Sequence, residues 1–282
     1  MVYSTVISAA DLEQQIARPE WVVFDCRFNL ADPQAGYSDY HEGHLPGAFY
    51  AHLDDRLASP VGPQSGRHPL PDPGALAQWL GECGVKRDTQ VVVYDAQGGA
   101  IAARLWWLLR WVGHDAVAVL DGGFPAWSAA YALQSDEPAP GTSTPYPLAV
   151  RHAMSVDVAE LENALSEKRV RLLDARAPVR FRGEKEPLDK VAGHVPGAVN
   201  HSFTDDLDDA GCFLPADRLR ERLVSAMQPF PVTETVCMCG SGVTACHTLL
   251  AMEIAGFSGA RLYAGSWSEW ITDPQRAVTT GA

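Results

Sequence analysis

Two tandem α/β domains, each a parallel sheet with helices on both faces, are predicted by three observations. Short β-rich runs alternate with helical stretches along the chain. Four segments recur in the same order in its two halves, and 282 residues amount to about two ordinary domains. The hydrophobic share, 46%, is that of a globular chain able to bury sizeable cores without disulfide staples.

The repeats fix the elements in order. Phe24-Asp25-Cys26-Arg27 matches Leu173-Asp174-Ala175-Arg176, each after apolar residues that read as a strand. Asp25 and Asp174, as members of Asp-x-Arg repeats, are expected to pair internally rather than act as acids. Next, Gly43-His44-Leu45-Pro46-Gly47-Ala48 matches Gly193-His194-Val195-Pro196-Gly197-Ala198. Because these histidines occur in both copies, they read as structural. The strand Val91 to Tyr94, followed by Asp95, matches Thr235 to Met238 followed by Cys239, and each leads into a small-residue loop and a helical stretch, Ile101 to Trp111 and Ala245 to Ala255. After the strand Ala116 to Leu120, the run Leu120-Asp121-Gly122-Gly123-Phe124 matches Tyr263-Ala264-Gly265-Ser266-Trp267. These matches place one domain at 1–133, a linker at 134–153 and a second domain at 154–282. Gln134 to Val150 is dense in Pro, Ser, Thr and Gly and reads as an extended surface segment.

The run Cys239-Gly240-Ser241-Gly242-Val243-Thr244 puts a cysteine at the turn between a strand and a helix. There a thiolate is favoured by unpaired amides and by the positive end of the helix dipole. Glycines at 240 and 242 leave room for a tight cradle. A free thiol has a pKa of about 8.5, which a helix N-terminus lowers to roughly 3.5–7.5. Cys239 is therefore the candidate nucleophile, with Gly240, Gly242, Val243 and Thr244 as the loop that receives the transferred group. Cys26, Cys83 and Cys212 lack such a loop and read as packing residues. Cys237 is a core residue or a redox neighbour, core being favoured, and a redox role for Cys246 stays open. In the first copy Asp95 stands where the cysteine would be, so that copy is expected to be catalytically silent.

Thirty-five acidic against 22 basic residues give a net charge of −13, which argues against a nucleic-acid or acidic-membrane surface. No apolar run reaches the ~20 residues of a membrane span, and the first residues lack a basic region followed by a long apolar one, so no signal peptide is expected. Six cysteines without zinc-finger spacing suggest reduced thiols and a cytoplasmic location. No metal or organic cofactor is expected.

With these motifs the chain resembles two-domain rhodanese-type sulfurtransferases over nearly its full length, and its Cys239 to Cys246 loop is similar to that of 3-mercaptopyruvate sulfurtransferases. Thiosulfate-preferring relatives carry a basic loop with Arg and Lys where Gly240 and Ser241 stand here. The resemblance implies a silent first copy and a second copy that moves a sulfane sulfur from 3-mercaptopyruvate through a Cys239 persulfide to a thiol acceptor such as thioredoxin, or to cyanide. Arg180, in Val179-Arg180-Phe181-Arg182-Gly183, aligns with the family's substrate-binding arginine. The second anchoring arginine of some relatives is absent, with Pro187-Leu188-Asp189-Lys190 in that region, so Arg182 or Lys190 is the candidate replacement. His68, in Ser65-Gly66-Arg67-His68-Pro69-Leu70-Pro71, aligns with the histidine that reaches the active-site serine, and Asp54 aligns with its acidic partner. Carried over, Cys239, Ser241, His68 and Asp54 form the catalytic constellation.

The chemistry of the loop agrees on the donor. Thiosulfate leaves as doubly charged sulfite and calls for cations beside the sulfur. Ser241 offers a neutral hydroxyl, which suits the enolate of pyruvate. The rivals are a thiosulfate sulfurtransferase, a thiol phosphatase and a non-catalytic sulfur carrier or regulatory module. A phosphatase loop would end in an arginine, and none follows Thr244 here. A non-catalytic module would lack the cysteine of the second copy.

Overall fold

The computed structural model describes residues 2–141 and 144–281, so Thr142 and Ser143 of the expected linker lie outside it, as do Met1 and Ala282. Its ten strands are β1 (Val6–Ile7), β2 (Trp21–Asp25), β3 (Phe49–Tyr50), β4 (Gln90–Tyr94), β5 (Val117–Leu120), β6 (Ser155–Val156), β7 (Arg171–Asp174), β8 (Val199–Asn200), β9 (Thr235–Met238) and β10 (Arg261–Tyr263). They form two five-stranded parallel sheets of the same order, β1-β5-β4-β2-β3 and β6-β10-β9-β7-β8. The helices are α1 (Ala9–Glu13), α2 (Ala35–Glu42), α3 (Leu53–Arg56), α4 (Pro73–Glu82), α5 (Ala102–Trp111), α6 (Gly123–Ser128), α7 (Val158–Ser166), α8 (Pro178–Phe181), α9 (Ala216–Met227), α10 (Thr244–Ile254) and α11 (Ser266–Trp270).

Alternation along the strands splits each sheet into two apolar faces, as a doubly covered sheet requires. In the first sheet Val92, Tyr94, Ala118 and Leu120 share a cluster with Leu12 and Trp127, while Phe24 packs on Trp79 of α4 with ring centroids 5.0 Å apart. In the second, Leu172, Val236 and Met238 pack with Leu161, Trp267 and Trp270. Cys237 lies between two of these residues in the strand and is fully buried.

The Asp-x-Arg repeats close inside each unit. Asp25 Oδ2 meets Arg27 Nη2 at 2.6 Å, and Asp174 Oδ2 meets Arg176 Nη2 at 2.6 Å. Each arginine also donates to a backbone carbonyl, Gly43 O at 2.7 Å or Gly193 O at 2.8 Å. The repeated histidines behave alike. His44 Nδ1 lies 2.8 Å from Tyr40 O and its ring stacks on Tyr40, whereas His194 Nδ1 lies 2.8 Å from Phe181 O and its ring stacks on Phe181.

The chain forms two compact units whose membership departs from a single cut in the sequence. The first holds the chain up to Ser59, Leu70–Arg151 and Asp209–Phe213; the second holds Pro60–Pro69, His152–Asp208 and the chain from Leu214. The expected linker is hydrogen-bonded along the first unit: Gly141 N donates to Glu82 O, Tyr146 N to Ala77 O and Ala149 N to Val112 O. Tyr146 is buried there. The loop Pro60–Pro69, from the first half of the sequence, belongs to the second unit and brings Arg67 and His68 with it.

Candidate active site

In the second unit β9 ends at Met238 and α10 begins at Thr244, which leaves Cys239 as the first residue of the connecting loop. Cys239 is 2% exposed and Ser241 6%. The 264–268 turn supports the loop from one side. Cys239 N donates to Ser266 Oγ at 3.0 Å, Trp267 N to Cys239 O at 3.0 Å and Ser268 N to Gly240 O at 2.9 Å. Gly242 has φ +77°, and a Cβ there would lie 2.2 Å from Ala264 O, so this position admits glycine alone. Ser266 also takes a positive φ, 54°, and its hydroxyl donates to Tyr263 O at 2.9 Å while accepting the Cys239 N–H.

The equivalent loop of the first unit displays what such a turn does with an anion. Asp95 occupies the cysteine's place and its carboxylate accepts four main-chain N–H groups: Gln97 at 2.8 Å, Gly99 at 2.9 Å, Ile101 at 2.7 Å and Ala102 at 2.8 Å. Phe124 N donates to Asp95 O at 2.7 Å, as Trp267 N does to Cys239 O. The strand-to-helix turn of the first unit is thus an amide cradle filled by a fixed carboxylate.

Around the cysteine loop further side chains converge. His68 Nδ1 lies 2.7 Å from Ser241 Oγ, and His68 is 4% exposed. Arg67, beside it, has its main-chain N–H on Ser268 Oγ at 3.0 Å and its guanidinium paired through Nη1 with Asp189 Oδ1. Arg180 donates to Glu186 Oε1 at 2.7 Å and to Asp189 Oδ2 at 3.1 Å. A Cβ on Gly240 would sit 2.9 Å from Arg67 Nη2 and 3.5 Å from Arg180 Nη2. Burial pushes the Glu186 carboxyl up, but hydrogen bonds from Arg180 and from the amides of Leu188 and Asp189 outweigh it and hold the group below the usual glutamate range. Burial pushes the Asp189 carboxyl above its ordinary value despite Arg67.

Of the residues singled out from the sequence, Cys239, Gly240, Ser241, Gly242, Val243, Thr244, His68 and Arg180 thus share the second unit and meet at one loop. Arg182 points elsewhere: its guanidinium bonds Glu184, at 2.7 Å and 2.9 Å, on an exposed surface. Lys190 is exposed and lines a cavity with Arg67 and Asp189. Asp54 belongs to the first unit, in α3, where burial raises its carboxyl above the ordinary value. Cys246 is buried and its thiol donates to Gly242 O at 3.3 Å. Sequence reasoning missed Arg67, although it adjoins His68, and Ser266, although the repeat sets it opposite Gly123, whose φ of +56° is nearly the same.

This fold and loop define a class, and the chain belongs to the rhodanese-like domain family, whose model matches residues 8–130 and 157–273. It is 49% identical over 286 residues, the full length of both chains, to a Pseudomonas aeruginosa protein named "Probable 3-mercaptopyruvate sulfurtransferase". It is 33% identical to the thiosulfate sulfurtransferase of the same organism, over 97% of this chain and 96% of that one. The solved structure of 3-mercaptopyruvate sulfurtransferase from Leishmania major superposes with a TM-score of 0.84 at 29% identity, covering 95% of this chain and 74% of that one.

Proposed function

We propose that this chain is a sulfurtransferase that takes sulfur from 3-mercaptopyruvate onto Cys239 and passes it to a thiol or to cyanide. The Cys239 thiolate attacks the donor sulfur, an S–S bond forms and the C–S bond breaks with its electron pair leaving on the pyruvate enolate. A proton reaches the enolate carbon through the Ser241 hydroxyl, which His68 polarises. The persulfide rests in the amide cradle, its charge met by loop N–H groups as the Asp95 carboxylate is met in the first unit. An acceptor thiol, such as that of reduced thioredoxin, then attacks the outer sulfur and restores Cys239, so the kinetics are ping-pong. The first unit is silent, since its carboxylate has no sulfur to exchange.

The observation that carries this proposal is the 2.7 Å contact between Ser241 and His68 two residues beyond the cysteine, a hydroxyl donor suited to an enolate. Mass spectrometry after treatment with 3-mercaptopyruvate is expected to find Cys239 heavier by one sulfur atom, with the label absent from Cys239→Ser. An unlabelled wild-type cysteine would defeat the proposal. Thiosulfate is the second candidate donor, favoured by Arg67 and Arg180 beside Gly240, since two cations also suit a dianion. Comparing kcat/KM for the two donors decides between them. A reducing, cytoplasmic setting is supported by the lack of any disulfide among the described residues. Among the described residues no helix is long and apolar enough to cross a membrane.

A further inference from the structure

We propose that the first unit carries a site for a small organic cation of the quaternary ammonium class, in a ring-lined cavity at the β3 edge of its sheet. The cavity, about 370 Å³, is walled by Tyr37 of α2, by Phe49 and Tyr50 of β3 and by His52, with the carboxylates of Asp55 and Glu137 also in its lining. That size lies within the range of small-molecule sites. Tyr37 and Tyr50 have ring centroids 5.4 Å apart at 55°, and Tyr50 and His52 have theirs 6.0 Å apart at 72°. Rings set at such angles make walls and not a stack. Tyr40, which also lines the cavity, is buried and stacked on His44 with centroids 3.9 Å apart, a fixed part of the lining.

The duplication shows that the fold by itself does not call for these rings. Counted from the matched glycines Gly47 and Gly197, the second unit has Val199, Asn200 and Ser202 where the first has Phe49, Tyr50 and His52. The strand pairing agrees, with Asp25 beside Tyr50 and Asp174 beside Asn200. Either residue meets the same backbone need: Tyr50 OH donates to Arg27 O at 3.0 Å, and Asn200 Nδ2 donates to Arg176 O at 2.8 Å. The ring body of Tyr50 is thus an addition of the first unit. Glu137 accepts from Tyr37 OH at 3.3 Å and faces His41 Nε2 at 3.4 Å, which sets a negative charge beside that ring. Asp55 faces His52 Nδ1 at 3.5 Å, and both carboxylates keep most of their side-chain surface in solvent. Arg56 also lines the cavity, its guanidinium 6.0 Å from the centroid of the Trp79 ring. The two acids outnumber it. A quaternary ammonium is attracted by ring faces and by nearby carboxylates, and it has no N–H group that must find an acceptor. A primary ammonium would give up water at three N–H donors in a space walled mostly by rings.

The test titrates choline into the full chain by calorimetry, beside its uncharged isostere in which a tert-butyl group replaces the trimethylammonium. Wild type is expected to bind choline more tightly than the isostere by roughly 5- to 30-fold, the span of a cation held against ring faces. Tyr37→Leu, which keeps an apolar side chain without a π face, should lose most of that preference. Tyr37→Phe keeps the face and should retain it. Tyr50→Asn puts in the residue that the second unit uses at the same place, so it keeps the backbone hydrogen bond and guards against a fold defect; it too should lose the preference. Equal binding of choline and isostere by wild type, or no binding of choline, would overturn the proposal. So would a preference that survives in both Tyr37→Leu and Tyr50→Asn, or one lost in Tyr37→Phe. The readout is binding in the unit without Cys239, and its outcome is therefore independent of the sulfur transfer proposed above.

Discussion

His68 Nδ1 and Ser241 Oγ stand 2.7 Å apart, both side chains buried, across 173 positions of sequence. The contact exists because the loop Pro60–Pro69 folds into the second unit. A histidine so placed can tune the serine as a proton donor, and a positioned acid or base contributes typically 10²–10⁴-fold to a rate.

Ser241→Ala and His68→Ala should therefore each lower kcat with 3-mercaptopyruvate by about 10²-fold or more. With thiosulfate the leaving sulfite needs no proton, so the same variants should lose much less. Stopped-flow rates of persulfide formation with each donor check this. Equal losses with both donors would mean that the pair supports the loop and carries no proton.

Ser266 holds a left-handed backbone, φ 54°, where a residue with a Cβ is strained by about 1–2 kcal/mol. Its counterpart in the first unit is Gly123, at φ 56°. The serine offsets that strain by accepting the Cys239 N–H. Ser266→Ala keeps the strain and orphans a buried donor, so it should destabilise the second unit by about 1–3 kcal/mol. Ser266→Gly loses the same hydrogen bond but relieves the backbone, and should be more stable than the alanine variant by about 1 kcal/mol. Urea midpoints of the two variants give the comparison, and an alanine variant as stable as the glycine one would refute it.

The fold was legible because the chain carries it twice. Strands such as Gln90–Tyr94 and Thr235–Met238 are apolar after their first residue, as buried parallel strands tend to be, and the turn after each announces itself by small residues. The loop that begins at Cys239 was legible from its own residues, a strand running into glycines at 240 and 242 and then a helix. Arg67 was not. Its approach to Gly240 depends on a loop crossing from one half of the sequence to the other unit, and no local periodicity encodes such a contact. Arg182 looked equivalent to Arg180 in sequence, yet α8 ends at Phe181, between them, and the two guanidiniums find different acids, Glu184 and Glu186. The two-residue strands β3 and β8 were also invisible, being too short for any alternation to register.

Glu186 links the site to acid stability. Its side chain is 3% exposed, it accepts from Arg180, and its folded carboxyl titrates below the usual glutamate value of about 4.3. A depressed folded pKa means that the unfolded chain binds the proton more readily. The stabilisation is thus complete above about pH 4.3 and disappears as pH falls through the lower folded value. Removing one partner of a buried ion pair costs about 3–5 kcal/mol, and less where the other partner keeps a second acid, as Arg180 keeps Asp189. Glu186→Gln should accordingly lower the urea midpoint of the second unit clearly at pH 7, and the gap to wild type should close as the pH is taken from 5 to below 4. Midpoints measured at several pH values across that window decide it, since a gap that stayed constant would mean that Glu186 contributes by packing and not by charge.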